Sequence, residues 1–161
     1  DFQFLGRALV EAFRVLKPGG VLWINTSTPK QQRDGFWWLA LFPKASQMIC
    51  SRFPPLKALK DLLASAGFEV DADSVAVPLE RSLMAEHKYL EKGVHAAFDP
   101  SYRMGDSSWS MAENSGELEE GLSKLRSMID QGKANVWLEE REVLRRSIGQ
   151  ATFVIARKPV A

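Results

Sequence analysis

The 161 residues suffice for one domain, and 45% hydrophobic with 25% charged residues is the globular average, which excludes a largely disordered chain. A net charge of +1, from 21 basic and 20 acidic residues, lacks the basic excess that a nucleic-acid partner calls for. The single cysteine, Cys50, excludes an internal disulfide and predicts a reducing, cytoplasmic setting, while the longest apolar run, near Phe36 to Phe42, falls far short of the roughly 20 residues of a membrane span.

The chain begins at Asp1, without a methionine and without a basic flank leading into an apolar core, so a processed or truncated chain is predicted. Over residues 4–17, Leu5, Leu9, Ala12, Phe13 and Leu16 recur at three and four and predict an amphipathic helix. Pro18-Gly19-Gly20 stops it, and "VLWIN", Val21 to Asn25, reads as a short buried strand. Trp37, Trp38, Leu41 and Phe42 suit a short helix. Leu56, Leu59, Leu62, Leu63 and Ala66 make the next clear helix, closed by Gly67. "FEVDADSVAVPLE" has strand chemistry, alternating at Val75, Val77 and Leu79.

Residues 82–113 are less patterned: a helix is predicted around Leu83 to Leu90, and "FDPSYRMGDSSWSM" reads as loop. Asn114 followed by Glu117 fits a capping box ahead of the stripe Leu118, Leu122, Leu125 and Ile129. A helix follows from about Ala134 to Ser147, with Val136, Trp137, Val143 and Leu144 predicted to face inward. "ATFVIARK", Ala151 to Lys158, is the best strand in the chain. The first strand-helix-strand unit implies a parallel pair with a right-handed crossover. About 65 residues between the last two strands imply a subdomain over one end of the sheet.

This order, with "EAFRVLKPGGVLWI", "LKDLLASAGFEV" and "GQATFVIARK", resembles the C-terminal half of a class I S-adenosylmethionine-dependent methyltransferase of the ubiquinone/menaquinone-biosynthesis type. The resemblance implies an α/β fold: a partial Rossmann-like methyltransferase domain over 1–161, with a helical insertion over 82–149 on the substrate side. Its three-stranded mixed sheet would hold strands five, seven and six of the family in that order, the last strand entering antiparallel between the other two. It also implies methyl transfer to a small organic acceptor. The family's first four strands and its acidic, glycine-rich cofactor loop would precede Asp1, so this chain alone is expected to bind S-adenosylmethionine weakly or not at all. The outer edge of strand five would then be free, and a homodimer or association with the N-terminal half is expected. A binding or assembly module acting through that edge is the alternative. A nicotinamide-dependent enzyme ranks below both because of the antiparallel last strand.

Asn25 and Thr26, with Ser27, follow strand five at its carboxyl end and are the candidates for the cofactor. Trp37 and Trp38 either wall an apolar acceptor pocket or simply pack beneath the insertion. Arg103, Asp106 and Trp109 offer a planar donor fork, an acceptor and a stacking face for an acceptor molecule, or else form a structural turn. No catalytic residue is assigned, since methyl transfer needs chiefly alignment. His87 and His95, eight apart, do not make a metal site, and Cys50 is read as a packing residue. The run "EEREVLRR", Glu139 to Arg146, is read as a solvated face, and the "NTS" at Asn25 is discounted as a glycosylation acceptor.

Overall fold

The computed structural model describes residues 2–70, 75–77 and 92–160. Helix α1 (Phe2–Val15) is the predicted amphipathic helix, and its stripe packs with Leu59 and Leu63 of α4 (Leu56–Ser65) onto Val154 and Ala156 of the sheet. Phe13 meets Phe68 edge-on at 5.1 Å. Past α1, Gly19 takes φ +75°, a region that costs glycine little. The turn is stitched to the end of the last strand: Gly19 N–H donates to the Lys158 carbonyl and Lys158 N–H to the Gly20 carbonyl, both at 2.9 Å. The Lys158 ammonium then caps the helix, donating to the Phe13 and Leu16 carbonyls at 2.7 and 2.8 Å. A cation at a helix C-terminus also meets the negative pole of the dipole.

The sheet is organised around β4 (Ala151–Arg157). On one side lies β1 (Val21–Thr26), with Trp23 opposite Ile155. On the other lie two short strands, β2 (Glu69–Val70) and β3 (Val75–Val77). Val70 pairs with Ala156 and Val75 with Phe153, so the register shifts by two residues between β2 and β3. The strand order is the expected one, but the sheet described is not mixed. Every ladder is antiparallel, because β4 separates β1 from β2 and no parallel pair forms between them. The predicted alternation at Leu79 and the helix around Leu83 to Leu90 lie outside the described residues.

Strand β1 is not the buried strand that its composition predicts. Leu22 and Ile24 face α1 and α4, whereas Trp23 is 64% exposed and Asn25 is exposed. One face of β1 is covered, and among the described residues no strand pairs with its outer edge.

The larger core lies beyond the sheet, in a helical lobe. Its first part follows β1: α2 (Pro29–Gly35), a 3-10 helix (Trp37–Leu41) and α3 (Pro43–Cys50). Its second part precedes β4: a 3-10 helix (Gly93–Phe98), α5 (Pro100–Arg103), α6 (Ser107–Asn114), α7 (Leu118–Asp130) and α8 (Ala134–Ile148). The stretch read as loop, Phe98 to Met111, is therefore mostly helical. Asp99 and Asp106 accept the N–H groups of Ser101 and Ser108 as N-caps, and Pro100 opens α5. Asp, Ser, Pro and Gly serve helix starts as readily as turns.

Three further expectations change. Asn114 ends α6 instead of capping α7, and Glu117 reaches across to another helix. Val136 and Val143 are exposed, while Ala134, Trp137 and Leu138 supply the inward contacts of α8. The charged run is only partly solvated: Arg146 pairs with Glu139 at the surface, but Arg145 is buried beside Glu142. Among the described residues no helix is long and apolar enough to cross a membrane.

Candidate functional site

The carboxyl end of β1 leads straight into the lobe. Thr28 opens α2 with a capping box: its hydroxyl accepts the Gln31 N–H at 3.2 Å, and the Gln31 carbonyl oxygen accepts the Thr28 N–H at 2.9 Å. The buried Gln31 amide also donates to the carbonyls of Ile148 and Ala151, and its oxygen accepts the Thr152 hydroxyl. Three hydrogen bonds from one side chain thus lock α2 against the α8–β4 junction. Gln150 adds a fourth tie, to the Gly35 carbonyl at 2.7 Å. The sequence carries the T-x-x-Q signature of this box, Thr28 to Gln31, which the sequence reading passed over.

Of the three cofactor candidates, Asn25 is exposed, the half-buried Thr26 donates its hydroxyl to the neighbouring Ser27 carbonyl at 3.3 Å, and the buried Ser27 hydroxyl has no hydrogen-bond partner. One amide and two hydroxyls, with no carboxylate among them, do not make a cradle for a nucleoside carrying a sulfonium. These residues alone do not fit S-adenosylmethionine.

Trp37, Trp38 and Trp109 come together in one aromatic core. Trp38 stacks on Trp109 at 5.9 Å, with an interplanar angle of 18°, and meets Trp37 edge-on at 5.7 Å. Its indole N–H donates to the Ser108 hydroxyl at 2.7 Å. All three tryptophans are buried and join the two parts of the lobe in one core. The Arg103 and Asp106 side chains bond backbone and not each other, while the Asp106 N–H donates to the Arg103 carbonyl at 3.3 Å. Arg103 donates to the Ala97 carbonyl at 2.7 Å, and Asp106 caps α6. Tyr102 is buried in this core against Trp109, and burial, with the Asp106 charge adding to it, pushes its phenol up to about 12.

Concave regions flank this core. One, of about 280 Å³, is lined by Phe36, Phe53, Met111, Arg52 and Asp106 among others. A larger one, of about 430 Å³, lies between α2, α3 and α8, where Arg33, Asp34, Cys50 and Arg141 meet Leu39 and Pro43. Bonding to Arg33 holds the Asp34 carboxyl below the usual carboxylate range; burial opposes this and Lys30 assists it. The half-buried Cys50 thiol donates to the Pro29 carbonyl at 3.2 Å, in keeping with a packing role. His87 lies outside the described residues. Among the described residues no cluster of three or more histidine, cysteine or acidic side chains is placed to hold a metal. Comparison with known proteins finds no matching family model, no matching curated protein and no matching solved structure.

Proposed function

We propose that these residues form the acceptor-side portion of an S-adenosylmethionine-dependent methyltransferase for a small organic acceptor, inactive without the cofactor-binding half. One observation carries the reading: an amphipathic helix, a Pro-Gly-Gly turn and an apolar strand, with the last strand antiparallel between that strand and the next. The lobe joined to the carboxyl end of β1 stands where open α/β sheets receive ligands. Calorimetry with S-adenosylmethionine, on this chain and on the product of its complete reading frame, tests the reading. It expects micromolar binding by the complete product only, and a complete product that does not bind overturns it.

A second reading, an assembly module working through the β1 edge, is favoured by the exposed Trp23 on an edge strand and the exposed Phe4, Val10 and Val15 of α1. Apolar side chains on an open edge invite a partner. A reading frame that opens immediately before Asp1, together with self-association of the chain, distinguishes it from the first.

A further inference from the structure

The cavity between α2, α3 and α8 has apolar walls from Leu39, Ala40 and Pro43, and polar ones from Arg33, Asp34 and Arg141. The charges do not balance. Both Asp34 oxygens are already taken: Arg33 donates to each, at 2.8 and 2.9 Å, and Lys30 adds a third bond at 3.0 Å. Among the described residues Arg141 forms no ion pair there.

Nor does its own helix supply one. Glu142 is paired with Arg145 and Glu139 with Arg146, and Glu140, the adjacent residue, does not share a helical face with Arg141. The Arg141 guanidinium lies over the Trp137 ring, 5.7 Å from its centroid, and its buried Nε has no hydrogen-bond partner. A buried guanidinium N–H without an acceptor is costly, and a carboxylate offers the matching planar pair of oxygens.

From this we propose that the cavity is a binding site for a small amphipathic organic carboxylate, its carboxylate on Arg141 and its hydrocarbon body along Leu39, Ala40 and Pro43. At about 430 Å³ the space is of the size that small-molecule sites occupy and is far larger than an inorganic anion needs. The site stands independently of the methyl-transfer reading, because it needs neither cofactor nor turnover.

Cys50, the only cysteine in the sequence, lines the same cavity and reports its occupancy. The probes are 2-naphthoate, its neutral counterpart 2-naphthamide and inorganic phosphate. Binding is read by calorimetry and by the rate at which iodoacetamide alkylates Cys50 in the intact protein. Naphthoate is expected to bind and to slow alkylation severalfold, the amide to bind about tenfold more weakly, and phosphate to give no protection. Arg141→Met keeps a long apolar stem against Trp137 and is expected to weaken naphthoate about tenfold while leaving the amide unchanged. Arg141→Lys should fall between Arg141→Met and the parent, and Arg146→Met, which alters a surface arginine of the same helix, should match the parent. Equal affinity for acid and amide, protection by phosphate alone, undiminished naphthoate binding in both Arg141 variants, or no binding of naphthoate would each overturn the proposal.

Discussion

The carboxylate of Glu117 accepts the backbone N–H of Ala45 at 2.8 Å, and its other oxygen accepts that of Lys44 at 2.9 Å. A residue just ahead of α7 thus caps the first turn of α3, far away in sequence, and the Ser115 hydroxyl supports it at 2.9 Å. Burial pushes this carboxyl up, but the two N–H groups and the hydroxyl outweigh it and leave the group below its ordinary range. Glu117→Gln would turn an amide N–H toward one of the helix donors and is expected to cost about 1–3 kcal/mol. Because the folded-state value is the depressed one, the stabilisation is complete above the ordinary carboxylate range and is lost as pH falls through the lowered value. Urea melts of parent and variant should therefore differ by a constant amount near neutrality and converge in acid.

Gly121, inside α7, is required by close approach. A Cβ there would overlap the ring of Phe42 and stand 3.0 Å from the Leu41 carbonyl. Gly121→Ala, which favours an isolated helix, should here lower stability by about 1–3 kcal/mol, because α7 must lift off the buried Phe42. A thermal melt that rises on substitution would contradict this contact.

Gln31→Leu should be more damaging than its surface-like sequence context suggests. The change leaves Thr152 and two carbonyls without their partner inside the lobe–sheet junction, at an expected cost of about 2–4 kcal/mol. Gln31→Glu keeps the acceptor but loses the two donors and should fall between the parent and Gln31→Leu. Chemical denaturation of the three proteins gives the order.

Sedimentation at tens of micromolar tests the free edge of β1. Self-association is expected, and Trp23→Lys should shift it toward monomer with little change in melting temperature, since Trp23 is 64% exposed. A parent protein that stays monomeric at high concentration removes the homodimer.

The sequence by itself determined the elements whose pattern is local. The stripes of α1 and α4, the Pro-Gly-Gly stop, the glycine closing α4 and the strand character of Val21 to Asn25 and Ala151 to Lys158 follow from periodicity and turn chemistry, which need no distant partner. The candidate site was legible only in part. Trp37, Trp38 and Trp109 were visible as large aromatics, but nothing local says that they stack on one another or that Asp106 spends its carboxylate on a helix cap. Tertiary structure alone decided that Glu117 caps α3, that Lys158 caps α1, that among the described residues no strand pairs with the outer edge of β1, and that the buried Arg141 Nε is left without a hydrogen-bond partner. The physical reason is common to all four. A charged or hydrogen-bonding group is satisfied by whatever stands within about 3 Å of it, and which groups stand there is set by how the helices and strands pack.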